Sequence, residues 1–226
     1  NVEVGELIGQ GEVDCITAWK VNKPQVLVMS GDPTDNNAKL FAQGYNGVLK
    51  PKFDDGSYTK VGAPPRTWDP PTAATTFEQQ YTAHPNMNAV VAPNDANANA
   101  IISVLLKNKI PANTFPVTGQ DAATEGLQNI LKGYQCGTVY KPYFAEAQAA
   151  AALALFLRAG KTPPSTLVND TTTDSTLNAE IKSVYTKPFW VTKENMNDTV
   201  VKDGTISASE LCAGKVASLC KDAGIQ

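Results

Sequence analysis

Three times within its first 121 residues the chain runs through a short apolar stretch that stops abruptly in amides, hydroxyls and carboxylates. The stretches are residues 26–32 (Val-Leu-Val-Met-Ser-Gly-Asp), 89–95 (Ala-Val-Val-Ala-Pro-Asn-Asp) and 117–121 (Val-Thr-Gly-Gln-Asp). Short apolar runs of this kind, separated by segments with helical spacing, read as buried strands alternating with helices. Strands buried on both faces need helices above and below them. The pattern therefore predicts an α/β fold, a doubly wound parallel sheet. At the carboxyl edge of such a sheet, strand ends and helix N-termini converge, and ligands bind there. The polar ends predict a binding surface for a small, neutral, hydroxyl-rich molecule.

The intervening segments fit that alternation. Val4, Leu7, Ile8, Val13 and Ile16 give residues 2–19 a helical face weakened by glycines, and 25–29 is the first strand. Thr34 or Asp35 caps a helix that runs through Leu40, Phe41, Tyr45 and Val48 toward Pro51. A strand at 58–61, a Pro-rich loop carrying Arg66 and Trp68, a helix at 72–83 and a strand at 88–92 follow. Ile101, Ile102, Leu105 and Leu106 mark a helix at 96–107. Further elements are expected at 115–118 (strand), 124–131 (helix, stopped by Gly133) and 137–140 (strand). Pro142 opens an Ala-rich helix at 143–159. Beyond it, 161–178 is rich in Thr, Pro, Ser and Asp and reads as loop, 181–191 reads as extended, and 195–226 as a peripheral segment ending in one short helix.

Composition removes several functions. The 226 residues carry a net charge of −3 with no dense Lys/Arg cluster, which excludes a nucleic-acid partner. No apolar run reaches the ~18 residues of a membrane span, and Asn1 does not begin a signal peptide; a processed or truncated chain is expected. The single His, His84, and the absence of Cys-x-x-Cys leave no metal site, and no cofactor motif is present. In one straight helix Cys212 and Cys220 would lie about 12 Å apart, too far to bridge. A break at Gly214 would bring them together, so a local disulfide is expected. Cys15 and Cys136 are then either the remaining pair or two buried thiols. Disulfides favour an exported protein.

Among the polar clusters, Asn36 and Asn37 exceed what one helix cap needs and are candidate ligand contacts. In Asn94-Asp95, Asp95 can cap the next helix while Asn94 faces outward with a donor and an acceptor on one planar group. Asp121 can accept two adjacent hydroxyls, or cap a helix beginning near Ala123. Trp68 is either core or the flat wall for a sugar ring. Lys141, before Pro142, is a hinge or a ligand donor. No Gly-x-Ser-x-Gly elbow, phosphate-cradling Gly-x-x-x-x-Gly-Lys or Gly-x-Gly-x-x-Gly occurs, which argues against an enzyme.

Residues 30–41 (Ser-Gly-Asp-Pro-Thr-Asp-Asn-Asn-Ala-Lys-Leu-Phe), 92–96 (Ala-Pro-Asn-Asp-Ala), 119–122 (Gly-Gln-Asp-Ala) and 138–142 (Thr-Val-Tyr-Lys-Pro) resemble the xylose-binding proteins of bacterial ABC importers, type I periplasmic sugar-binding proteins. Residues 1–7 are similar to the segment after that family's first hinge crossing, and 195–211 to its C-terminal stretch. The resemblance implies a non-catalytic, pentose-binding importer component that closes on its ligand and presents it to ABC permease subunits. It implies contacts from Asn36, Asn37, Trp68, Asn94, Asp121 and Lys141, with hinges at Asn1, Lys141 and Pro188. The implied organisation is a C-terminal-lobe sugar-binding domain at 1–141, a crossover at 142–187 belonging to an N-terminal lobe that is absent, and a return at 188–226. Without that lobe, the Ala-rich helix would expose an apolar stripe and invite a dimer or a swapped assembly. The location implied is extracytoplasmic, periplasmic or lipid-anchored at the cell surface. Two other classes remain open: the ligand-sensing core of a LacI-type transcriptional regulator, and a sugar-active enzyme.

Overall fold

The computed structural model describes residues 1–174 and 176–225. In chain order the elements are α1 (Val2–Ala18), β1 (Gln25–Val28), α2 (Asn36–Asp54), β2 (Thr59–Val61), α3 (Pro70–Ala83), β3 (Ala89–Val91), α4 (Asp95–Lys107) and α5 (Thr124–Leu131). They continue as β4 (Thr138–Tyr140), α6 (Tyr143–Arg158), β5 (Asp170–Asp174), β6 (Ala179–Ser183), β7 (Phe189–Val191), a π-helical turn (Asn197–Val201), α7 (Ala208–Leu211), a 3-10 turn (Gly214–Val216) and α8 (Ala217–Asp222). By its internal contacts the chain divides into two units: Asn1–Tyr140 with Phe189–Gln226, and Lys141–Pro188.

In the first unit β1 lies between β2 and β3, parallel to both. The sheet continues through single parallel bridges, Val90 to Val117 and Gln120 to Val139, and β4 then pairs antiparallel with β7. The strand expected at 115–118 is thus present as bridges and not as a regular ladder. Pro116 has no N–H to give, and the Thr118 hydroxyl replaces a ladder partner by accepting from the Ala92 amide at 3.0 Å.

Strand side chains alternate between two cores. Leu27 and Val90 pack with Phe77, Ile101, Leu105 and Val117 under α3 and α4. Val26, Val28, Ala89 and Val91 pack with Ile8, Phe41, Tyr45 and Leu49 under α1 and α2. Period-two alternation with apolar residues on both faces is what a sheet covered twice requires. The α1 glycines have a packing reason. A Cβ on Gly5 would stand 2.2 Å from the Phe41 carbonyl oxygen, and one on Gly44 the same distance from that of Val2, so the two helices touch backbone to backbone.

The C-terminal tail departs from expectation. It is not peripheral: Met196, Val200, Ile206, Leu211, Val216 and Cys220 form a third core with Leu127, Tyr140 and Val191. Its apolar residues are spread over four short turns, so no single period reveals the buried face. Both disulfides are present, with Cα–Cα distances of 6.0 Å for Cys15–Cys136 and 5.8 Å for Cys212–Cys220. The second bridge forms because the chain breaks at Gly214 (φ +73°) between α7 and α8.

The second unit contains α6 and an antiparallel hairpin of β5 and β6, in register from Asp170 opposite Ser183 to Asp174 opposite Ala179. The loop expected over 161–178 is corrected here. Thr171, Thr172 and Thr173 are β-branched and fit a strand, and Asn169 extends the pairing by exchanging two hydrogen bonds with the Tyr185 backbone at 2.8 and 2.9 Å. None of α6 is buried, and Leu155 and Leu157 are 69% and 70% exposed.

Candidate functional site

The candidate site belongs to the first unit and is built at the carboxyl ends of β1, β3 and the Val117 segment. After β1 the chain turns into α2, whose N-cap is Asp35. One carboxylate oxygen of Asp35 accepts the Asn37 amide at 2.9 Å, and the other accepts Trp68 Nε1 at 3.0 Å. Asp35 was expected only to cap; it also fixes the indole. Trp68 is half-buried, edge-on to Phe41 at 6.4 Å between ring centroids, and its benzo edge occupies the space a side chain on Gly31 would need. Its loop is tied at both sides: the Thr67 amide donates to Ser30 O at 3.0 Å, and Asn97 Nδ2 donates to Thr67 O at 2.9 Å. Asn36 and Asn37 are exposed in the first turn of α2, and Asn1 Nδ2 donates to Asn37 Oδ1 at 2.6 Å. Close by, the Thr34 hydroxyl and amide hold the Asp32 carboxyl below its usual range.

After β3 the cap expected at Asp95 falls to Asn94. Asn94 is the N-cap of α4, accepting the Asn97 amide at 3.0 Å, and is half-buried with its amide nitrogen outside the cap. Asp95 is fully buried and does not cap α4. The turn after Ala92 directs it inward, toward the loop that follows the next strand.

Asp121 ends that strand with φ +100°, followed by Ala122 at φ +52°. It does not cap α5: the N-cap is Ala123, whose amide is taken by Asp95 Oδ2 at 2.7 Å. Asp121 itself is half-buried. Backbone bonds join the two polar ends, since the Asp95 amide donates to Gln120 O at 2.8 Å and the Asp121 amide to Val139 O at 2.9 Å.

Asp35 thus fixes Trp68 and the first turn of α2, where Asn37 holds Asn1, and the 120–123 turn is bonded to Asp95, the residue after Asn94. Lys141 is the first residue of the second unit and Pro188 its last. Planar amides, carboxylates and an aromatic edge match the donors, acceptors and apolar face of a small polyol. Among the described residues no group of three His, Cys, Asp or Glu side chains could hold a metal ion.

The chain is similar to several known proteins. The D-xylose-binding periplasmic protein of Escherichia coli (strain K12) is 38% identical over 216 residues, 93% of this chain and 61% of that protein. That of Haemophilus influenzae is 35% identical over 90% of this chain and 59% of its own length. The chain spans about 60% of the length of these curated relatives. Among solved structures, a carbohydrate transporter solute binding protein from Chloroflexus aurantiacus, in complex with D-glucose, superposes with a TM-score of 0.80 at 25% identity, over 92% of this chain and 67% of that one. The family model described as "Periplasmic binding protein domain" matches residues 1–162, which include every strand-end loop of the site. The chain belongs to the periplasmic binding protein family.

Proposed function

We propose that this chain is the larger part of the substrate-binding component of a sugar ABC importer, that its ligand is a pentose, D-xylose by preference, and that it binds without catalysis. The observation that carries this reading is the paired polar surface at the strand ends. Asp35 fixes Trp68 and caps the turn that carries Asn36 and Asn37, and Asn94 caps α4 next to Asp95, whose amide is bonded to the turn that carries Asp121. Asn36, Asn37, Asn94 and Asp121 offer neutral or anionic polar groups to hydroxyls, and Trp68, whose Nε1 is taken by Asp35, offers only its ring. The xylose-binding relatives support the pentose, although the wider set of relatives includes multiple sugar-binding periplasmic proteins.

In this reading residues 1–141 and 188–226 make one lobe and 142–187 belong to a second. A helix such as α6, with none of its residues buried, supports a second unit that is a piece of something larger. The chain crosses between units at Lys141 and Pro188, the proposed hinges together with Asn1; Lys141 is the proposed cationic donor. Closure around the sugar would then present the loaded form to the permease. Two disulfides support an extracytoplasmic location, where such bridges persist.

Calorimetric titration with D-xylose, L-arabinose, D-ribose and D-glucose tests the reading. Xylose-selective heat that is lost in Asp121→Ala is expected from the full-length protein. Equal affinity for all four sugars would remove the pentose assignment, and no heat with any of them would remove the sugar.

A further inference from the structure

Beneath the candidate site lies a buried carboxyl that the binding surface does not use directly. Asp95 is 0% exposed. Its Oδ1 accepts from Gln135 Nε2 at 2.7 Å and from the Thr138 hydroxyl at 2.8 Å, and its Oδ2 accepts from the Ala123 amide at 2.7 Å. Thr138 passes the connection on, since its Oγ1 accepts the Ala122 amide at 3.3 Å. Both amides that follow Asp121 are thus tied, directly or through one hydroxyl, to the same carboxyl. The space around it is cleared by glycine: a Cβ on Gly119 would stand 2.1 Å from Asp95 Oδ1, and one on Gly126 2.6 Å from its Cγ.

That attachment has something to oppose. Asp121 and Ala122 both stand at positive φ, a conformation that costs a non-glycine residue about 1–3 kcal/mol and persists only where the surroundings impose it. We propose that Asp95 is a positioning residue for the ligand: its carboxylate holds the strained Asp121–Ala122 backbone, and so the Asp121 side chain, in the binding geometry. The inference rests on the sugar-binding reading of Asp121.

The division of donors says what protonation would do. Oδ1 is already engaged by two donors, so a proton is best accommodated on Oδ2, where it meets the Ala123 N–H and displaces it. Burial pushes the Asp95 carboxyl up to about 7 against the pull of its three donors. Of the groups that face it, Asp121 from the turn is charged and raises it further, Gln135 and Thr138 are neutral, and α5 presents Gly126. If only the ionised form holds the turn, apparent affinity follows the ionised fraction, a change of about tenfold between pH 8 and pH 6.

The test uses Asp95→Asn in the full-length protein, because an asparagine anchored through Oδ1 turns its NH2 toward the Ala123 amide. Three readouts are taken: D-xylose affinity by calorimetry from pH 6 to 8, hydrogen exchange of the Ala123 amide, and exchange of the Val90 amide as a control for global stability. We expect affinity more than about tenfold weaker at pH 8, no remaining pH slope, and Ala123 exchange at least tenfold faster with Val90 little changed. Asp95→Asn that leaves both affinity and Ala123 exchange unchanged, while Asp121→Ala abolishes binding, overturns the inference and spares the sugar reading. Should Asp121→Ala leave binding intact, Asp121 is no ligand contact and Asp95 positions nothing for the ligand, which overturns the inference; should the wild type bind none of the four sugars, the sugar reading fails, and Ala123 exchange still decides whether Asp95 holds the turn. If Asp95→Asn does not fold, hydrogen exchange of the wild-type Ala123 amide decides: protection comparable to that of Val90 supports the hold, and exchange as fast as that of an exposed loop amide overturns it.

Discussion

The two disulfides should differ in worth by roughly a factor of two, and the difference follows from topology. Cys15, near the end of α1, is joined to Cys136, just before β4, across a sequence separation of 121. Cys212 and Cys220 are separated by only 8. If a bridge acts chiefly by restricting the unfolded chain, the long loop contributes about 5 kcal/mol and the short one about 2.5 kcal/mol at 25 °C. For a chain of this length those values correspond to melting-point losses of about 10–20 °C and about 5–10 °C. The perturbations are Cys15→Ala with Cys136→Ala, and Cys212→Ala with Cys220→Ala. Each is melted in urea while the tryptophan fluorescence is followed; Trp190 lines the same cavity as Cys15 and Cys136 and reports the first unit. The unfolding slope should rise in the first variant, whose unfolded chain is less constrained and exposes more surface. Equal losses, or a larger loss at the short loop, would show that local strain or packing sets their worth and would falsify the chain-entropy argument.

Three further outcomes follow from single groups. Glu12 is fully buried, neither of its carboxyl oxygens has a hydrogen-bond partner, and burial pushes it well above the usual carboxylate range. A carboxyl raised in the folded state contributes stability below its unfolded value and loses it as pH rises. Glu12→Leu should therefore raise the urea midpoint at pH 8, by the equivalent of about 1–3 kcal/mol, and by less at pH 5. Thr118→Val leaves the buried Ala92 amide without its acceptor and should cost about 1–3 kcal/mol, read by thermal melting. Asn94→Ala removes the α4 cap, about 1 kcal/mol of stability, and should weaken D-xylose binding well beyond that loss; a stability change with unaltered affinity would restrict Asn94 to capping.

The fold was legible where one period governed one element. The alternation at Val26, Leu27 and Val28, and the spacing of Ile101, Ile102 and Leu105, each state a buried face within a few residues, and both faces were found covered. Legibility failed where burial was shared among short pieces. In the tail, Met196, Val200, Ile206 and Leu211 reach one core from separate turns, and no window of sequence contains their common face. The Thr-rich hairpin failed for a different reason: Thr marks loops by polarity and strands by β-branching, and only the register of Thr172 opposite Ile181 decides between them.

The site shows the same limit at finer scale. The sequence identified Asn94-Asp95 as a pair in which one residue caps and the other does something else, but it gave the cap to Asp95 and the structure gives it to Asn94. Either side chain can accept from the third amide of a helix, so local propensity is silent. What decides is the partner for the residue left over. A buried carboxylate needs several donors, and these stand at Ala123, Gln135 and Thr138, between 28 and 43 positions away in sequence. An asparagine in that place would turn a donor toward the Ala123 amide, whereas a carboxylate accepts from all three. The inward position therefore selects Asp, and the outward one is left to the residue that both donates and accepts. That assignment gives the proposed binding surface an amide at Asn94 and, through the turn that Asp95 is proposed to hold, a carboxylate at Asp121.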